Sequence, residues 1–398
     1  MARKTVLRLR RLEHRDSDGR RHSTTQLRDV VGNRIGSMFL RRFVVQQTQF
    51  LLGNGCILRD AETKAKLGKD FDQRLALLGE RALLHGVCYL FWNADHAEVI
   101  EAAADAYSGF VPLLDERTGA LRVGIQFWQL GPRRPMMVRL FEEEGVSLWR
   151  QEKETLVLLE PLRPYVRLLR TDILGCEVTH EGCYDRLPVL PLYANAEHRS
   201  ELTPAIRAKI DAYDTILSDF ADNLERANDV YWVLNNFGGS MEDVAEALEQ
   251  ITRLKAVATF SDGSGQSATA EPHTVAVPHE ARETALRLLH RALYEDYMAL
   301  DMDELTGGSL TNVAIRTAAA NLNLKADRFE WEVFRCVRSL LQLLGIDTDV
   351  IRFQRQEIGN ASETVADIAV MREDIDRATA LKLNPYLQPE EVEGMLKV

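Results

Sequence analysis

IRAKIDAYDTILSDFADNLE, residues 206–225, places Ile206, Ile210, Tyr213, Leu217, Phe220 and Leu224 at steps of 4, 3, 4, 3 and 4. That spacing draws one narrow apolar stripe along a helix. Thr203 suits the cap and Pro204 the first turn, so a helix is expected over 203–228. The rest of its surface is polar. Such a helix packs along a single seam, on its own chain or on a neighbouring copy.

The character of the chain differs on the two sides of this helix. Upstream, residues 26–52 read as mainly helical and end at "LLGNG" (Leu51–Gly55), where Asn54-Gly55 signals a turn. Residues 72–85 read as a second helix and "GVCYLFWN" (Gly86–Asn93) as an apolar strand. From 107 to 193, runs such as "LRVGIQFWQL", "MMVRLFEE", "VSLWRQ" and "ETLVLLEP" alternate with turns, as in an antiparallel sheet. "RLPVLPLYANAEH" closes this region. Its Pro188 and Pro191 suit an edge strand better than a central one.

Downstream, residues 229–277 read as a compact α/β insert. "VYWVLNNF", "KAVATF" and "TVAV" have strand character, and "SMEDVAEALEQIT" has helix character with Ser240 as cap. A return helix over 278–299 has Leu286, Leu289 and Leu293 on one face. "MDELTGGSLTN" (Met302–Asn312) follows, then one long helical run from Thr311 to Leu344 that Gly345 ends. "VIRFQRQEI" reads as a strand, and the tail 362–398 as one or two helices broken at "LNPYLQPEE". The fold class is therefore α+β.

The chain of 398 residues is 45% hydrophobic and 27% charged, as in an ordinary globular chain. No run of about 18 uncharged apolar residues suggests a membrane span, and the N-terminus lacks an apolar secretion core. Five scattered cysteines (Cys56, Cys88, Cys176, Cys183, Cys336) suit a reducing compartment. Net charge is -11, the wrong sign for a protein that grips phosphates. The charge is uneven. Residues 1–42 hold 12 Lys/Arg against 4 acids, +8, so the remainder carries -19. Residues 1–24 are expected to be a basic arm, either solvated and irregular or touching an acidic partner or nucleic acid.

Familiar catalytic chemistry is missing. Gly307-Gly308-Ser309 lacks the lysine and spacing of a P-loop, and Asp301, Asp303 and Glu304 would repel phosphate. Cys176, His180 and Cys183 lack the paired spacing and fourth ligand of a structural zinc site. His85, His96, His273, His279 and His290 are isolated, and no carboxylate stands in a recognisable hydrolase or kinase motif. No catalytic residue, metal or cofactor is expected.

The order of elements is more telling than any one motif. "PVLPLYANAEHRSEL", "IDAYDTILSDFADNLE", "YWVLNNFGG", "LTGGSLTNVAIRTAAANLNLKA" and "NPYLQPEE" follow one another as in the portal proteins of tailed double-stranded DNA bacteriophages of the long, non-contractile-tail type. "FVVQQTQFLLGNGCIL" resembles that family's "LLGNP" segment, with Gly55 where proline is common. The resemblance covers roughly residues 25–398.

It implies a ring, usually a dodecamer, at one capsid vertex. Residues 25–202 with 311–361 would form the wing, 203–228 and 278–299 the two-helix stem, 229–277 the clip and 362–398 a short helical crown. Residues 300–310 would form a tunnel loop, with Asp301, Asp303, Glu304, Thr306, Gly307, Gly308, Ser309 and Thr311 facing DNA. The stripe Ile206, Ile210, Tyr213, Leu217, Phe220, Leu224 would be the inter-subunit seam. Tyr231, Trp232, Asn235, Asn236, Phe237 and Phe260 of the clip would dock the terminase large subunit and later the head-tail adaptor. Major capsid and scaffolding proteins would surround the ring, with no membrane involved.

An acidic wall would centre a sliding duplex rather than hold it. Asp211, Asp214, Asp219, Asp222 and Glu225 outnumber Arg207, Lys209 and Arg226 on the stem helix. The glycines of the loop would let it rearrange, although an ordinary helix–helix linker would also read this way. Two other readings remain at this point: a metal-dependent DNA-processing enzyme of the phage head, and an oligomeric scaffold with no nucleic-acid role.

Overall fold

The computed structural model describes residues 4–15, 21–105, 107–131, 133–172, 175–226, 231–235, 269–273, 279–302, 311–347, 350–356, 361–371, 375–387 and 389–396. By its contacts the chain divides into two compact units. One comprises Met1–Ser37 with Arg207–Leu293, the other Met38–Ile206 with Tyr294–Val398.

The larger unit is built on the helices α1 (Phe39–Leu52), α2 (Ala61–Ala65) and α3 (Phe71–His85) and on the strand β4 (Val87–Asn93). In α3, Phe71, Leu75, Leu78, Ala82 and Leu83 repeat at helical spacing and are all buried. β4 is apolar at successive positions because it is central. It pairs with β5 (His96–Glu101) on one side and β14 (Val189–Tyr193) on the other, all antiparallel. β14 is an edge strand, which is where Pro188 and Pro191 can be tolerated.

Against this sheet lie α1, α3 and a long C-terminal helix, together burying Leu51, Leu78, Leu83, Cys88, Leu192, Phe329, Val333 and Leu340 in one cluster. A second sheet runs in the order β11-β10-β9-β8-β7-β6, from β6 (Ala103–Asp105) and β7 (Ser108–Leu114) through β8 (Leu121–Trp128), β9 (Met137–Glu142) and β10 (Gly145–Glu152) to β11 (Thr155–Arg163). Phe110 and Phe141 on its inner face pack on Tyr89 and Phe91 of β4. β12 (Val166–Asp172) and β13 (Gly175–Gly182) form a separate hairpin. β3 (Cys56–Leu58) pairs with β17 (Ile351–Phe353).

Gly55 has φ +72, and a Cβ there would stand 2.5 Å from the Asp72 carboxylate. Proline, locked near φ -65°, cannot adopt this turn, which accounts for the departure from the "LLGNP" pattern.

Several expectations are corrected. The basic N-terminus is not irregular over its described part: β1 (Lys4–Arg15) and β2 (Arg21–Gly32) pair antiparallel along their whole length. Residues 26–32 are thus strand rather than helix, and the helix begins only at Phe39. Thr24, Thr25, Val30 and Val31 are β-branched and favour a strand, which a charge argument overlooks.

The long helical run is two helices, α6 (Asn312–Ala318) and α7 (Ala320–Leu343), with α4 (Pro204–Arg226) and α5 (His279–Tyr297) before them. The interruption falls at Ala319, whose N–H closes α6 on the Ile315 carbonyl and whose carbonyl opens α7 by accepting from the backbone and the side chain of Asn323. Among its described residues the tail holds the helices α8 (Ala361–Val370), α9 (Arg377–Leu383) and α10 (Pro389–Leu396). In the insert, β15 (Tyr231–Asn235) pairs with β16 (Thr269–His273). "KAVATF", "SMEDVAEALEQIT" and "TVAV" lie outside the described residues.

Candidate functional site

α4 runs over Pro204–Arg226, with Thr203 Oγ1 accepting from the Ile206 N–H at 3.3 Å. Of its apolar stripe, Ile206 alone is buried. Ile210, Tyr213, Leu217 and Phe220 are partly covered, and Leu224 is 45% exposed. Among the described residues the stripe is therefore only partly covered along most of its length. In the smaller unit Phe220 meets His279 edge-on, and Arg282 lies over the Phe220 ring while donating to the Asp219 carbonyl.

The polar side of α4 carries a feature that the sequence reading missed. The extended segment 33–37 lies along the helix. The N–H groups of Asn33, Ile35 and Ser37 donate to Asp222 Oδ1 (2.7 Å), Ser218 Oγ (3.0 Å) and Asp214 Oδ1 (2.9 Å). Acceptors four residues apart on a helix advance about 6 Å, nearly the two-residue repeat of an extended chain, so the two ladders match. Asp214 and Asp222 are thus occupied by backbone. Asp211 pairs with Arg207 on the exposed surface at 3.8 Å. An i, i+4, i+8 series of Asp, Ser and Asp on one face was the available signal.

In the larger unit, the far end of α5 is closed tightly. Met298 has φ +62. The N–H groups of Met298 and Ala299 return to the carbonyls of Glu295 and Tyr294, the paired bonds of a Schellman motif. Phe43 stacks on Tyr297 at 4.6 Å, and the Tyr297 hydroxyl donates to Gln47 Oε1 at 3.1 Å.

Lys325 of α7 joins this cluster. Its Nζ donates to the Tyr297 carbonyl, pairs with Glu201 Oε2, both at 2.8 Å, and sits 3.2 Å from the Tyr297 ring centroid. Burial lowers the Lys325 pKa, opposed by the Glu201 charge. Burial also raises the Tyr297 pKa well above its ordinary value. One buried cation therefore ties α7 to the end of α5 and to the segment that enters α4.

The stretch 300–311 begins and ends on fixed points. The Gln46 side chain takes both backbone groups of Leu300, donating to its carbonyl at 2.8 Å and accepting from its N–H at 2.9 Å. At the other end Thr311 caps α6, its hydroxyl accepting from Ala314 N–H. The Asn312 N–H donates to Glu363 of α8 at 2.5 Å, and the Asn312 side chain donates to Thr364. Of the residues expected to face DNA, Asp301 follows the first anchor and Thr311 is part of the second. Asp303, Glu304, Thr306, Gly307, Gly308 and Ser309 lie outside the described residues. Of the docking residues expected in the insert, Tyr231, Trp232 and Asn235 belong to β15, while Asn236, Phe237 and Phe260 lie outside the described residues. Among the described residues, no group of three or more His, Cys, Asp or Glu could hold a metal ion, and the Cys183 thiol donates to the Glu144 carbonyl. No helix of the described residues is long and apolar enough to cross a membrane.

A family model described as "Phage portal protein, SPP1 Gp6-like" matches residues 18–397. A portal protein of Clostridium phage phiCD119 is 30% identical over 183 residues, which are 45% of this chain and 40% of that protein. A portal protein of Bacillus phage SPP1 is 27% identical over 229 residues, 52% of this chain and 43% of the relative. These alignments span less than half the length of either relative. The family match, in contrast, takes in the seam helix, both anchors of the 300–311 stretch and the three tail helices, and the chain belongs to the SPP1 Gp6-like phage portal proteins.

Proposed function

We propose that this chain is the subunit of a portal ring of about twelve copies at one capsid vertex of the virion, assembled in the host cytoplasm. The ring is the channel through which double-stranded DNA enters during packaging and leaves on ejection. The chain contributes structure and a conduit, and ATP hydrolysis belongs to the terminase that docks on it. α4 and α5 form the stem, with the half-covered stripe Ile210, Tyr213, Leu217, Phe220, Leu224 closed by the next subunit. Residues 229–277 form the clip for the terminase large subunit and the head-tail adaptor. Residues 25–202 and 311–361 form the wing within the major capsid and scaffolding proteins, and the tail forms the crown.

The observation that carries this reading furthest is the pair of anchors around 303–310. Gln46 fixes Leu300, and Thr311 with Glu363 fixes the start of α6. Gly307 and Gly308 of the sequence would permit backbone angles closed to other residues in the stretch between these two anchors. Its hydroxyls and acids meet DNA without gripping it, since a strong phosphate contact would slow transport.

Native mass spectrometry with negative-stain imaging of the purified protein tests the ring. A closed ring of about twelve copies with a central hole is expected, because head-to-tail contacts close when the rotation divides the circle. A monomer that cuts DNA in the presence of a divalent metal would replace this reading with that of a DNA-processing enzyme.

A further inference from the structure

A cavity of about 240 Å3 opens where the turn between β4 and β5, the strands β9 and β10 and the connection from β11 to β12 meet. Phe91, Val146 and Tyr165, all buried, form its floor. Arg139 of β9, Arg163 at the end of β11 and Arg167 of β12 line its mouth, with side chains 30%, 53% and 38% exposed. Among the described residues no carboxylate lines it. Like charges gathered in one cavity repel one another unless an anion joins them.

The walls are fixed before anything binds. Gly145 has φ +149, and a Cβ there would stand 2.1 Å from the Arg163 carbonyl oxygen, so glycine lets β10 begin against the bend at Arg163 and Pro164. The Tyr165 hydroxyl donates to the Glu142 carbonyl at 2.6 Å. On the other side Ala94 turns at φ +54, and its carbonyl accepts from the Trp92 indole at 3.1 Å. Arg139 is held over the Trp128 and Phe141 rings, 5.5 and 5.9 Å from their centroids. The chain's own acids engage the arginines from outside the cavity. Glu98 meets Arg139 Nη1 at 3.2 Å, while Glu160 and Glu181 approach Arg163 and Arg167 at Nε, 3.6 and 2.8 Å away. A guanidinium carries five N–H donors. Among the described residues the terminal nitrogens of Arg163 and Arg167 make no hydrogen bond. Exposed pairs of this kind are weak, and an anion that accepts from two or three guanidinium groups at once outcompetes them.

We propose that this cavity binds one compact oxyanion, a phosphate or a carboxylate group, held between Arg139, Arg163 and Arg167. The planar fork of a guanidinium matches two such oxygens. A volume of about 240 Å3 lies below the roughly 300–1,000 Å3 of sites that enclose drug-sized ligands, so the occupant is a small ion or the end of one side chain. The apolar floor suits the methylene stem of an acidic side chain from a partner protein, and the arginines serve free phosphate equally. The site is independent of the ring reading, since one chain supplies every lining residue.

Phenylglyoxal labelling of the full-length protein, read arginine by arginine by peptide mass spectrometry, tests it. Inorganic phosphate, or glutarate as a probe for an acidic side chain, is added while sodium chloride holds the ionic strength constant. Labelling of Arg163 and Arg167 is expected to slow severalfold. Arg122, 57% exposed on the same sheet as Arg139 and outside the cavity, is expected to label at an unchanged rate. Stronger protection by glutarate would assign the site to an acidic side chain, and stronger protection by phosphate to the free ion. No protection by either probe, or equal slowing at Arg122, would overturn the proposal. Arg163→Gln/Arg167→Gln replaces two exposed side chains. It is expected to keep its unfolding temperature in chloride and to lose the rise that phosphate or glutarate gives the unsubstituted protein. Arg122→Gln is expected to keep that rise. A double variant that also keeps it would place the anion elsewhere and overturn the proposal.

Discussion

Lys325 carries more of the structure than any other single charged side chain in the described site, since it serves a carbonyl, a carboxylate and a ring at once. Lys325→Met removes the cation beside Glu201 and the donor to the Tyr297 carbonyl in a largely buried site, leaving the Glu201 carboxylate only the Asn195 amide donor among the described contacts. The expected loss is about 3 kcal/mol, because removing one partner strands the other, read by urea unfolding. Adding Glu201→Leu is expected to return part of that loss, a coupling that two independent sites would not show. Gly86 presents a different constraint. With φ +89, a Cβ there would meet the backbone of His198–Ser200 at 2.9 Å. Gly86→Ala is therefore expected to cost about 2 kcal/mol or more through backbone strain and displacement, measured the same way.

At the scale of elements, the 303–310 stretch and the sheet core make separate predictions. Gly307→Pro or Gly308→Pro is expected to block DNA filling while rings still form. Normal filling by either variant would reduce the stretch to an ordinary linker. Thr311→Ala removes a cap worth about 1 kcal/mol, and amide exchange at the start of α6 should quicken. Unchanged exchange together with lost packaging would instead place the hydroxyl on DNA.

The β4 sheet and α7 bury Cys88, Tyr89 and Cys336, whose pKa values burial raises to about 12. In the unfolded chain the thiols lose protons near 9 and the phenol near 10, while the folded groups hold theirs. Between these limits the unfolded state binds fewer protons, so stability falls as pH rises. Each group adds a slope of up to about 1.4 kcal/mol per pH unit. The unfolding temperature should hold steady to about pH 8.5 and fall from pH 9 upward. A flat profile to pH 11 would mean that these groups are accessible to water.

For the whole molecule, the acidic balance is the property that bears on the proposed conduit. With -19 outside the first 42 residues, an assembled channel is expected to hold DNA weakly at physiological salt and to show little salt dependence in retention, in contrast to the steep dependence of proteins that neutralise phosphates. Retention of a short duplex by purified rings at 50 and 200 mM salt measures this.

Local pattern in the sequence determined α4 within two residues at either end, the buried helix α3, the strand β4 and the meander of the second sheet. In each, the spacing of apolar side chains records which face meets a core, and that record needs no knowledge of the partner. Element order likewise determined the family. The tertiary structure decided what spacing does not encode. The strap at 33–37 bonds to residues 177 to 189 positions away, and Gln46 reaches Leu300 across 254. A hydrogen bond of this kind draws on a polar side chain that would look equally at home in water, so nothing in the local pattern marks it. The exposed edge of β11 belongs to the same class: an apolar run reveals that a strand favours cover, and only the sheet order shows that, among the described residues, β11 ends its sheet.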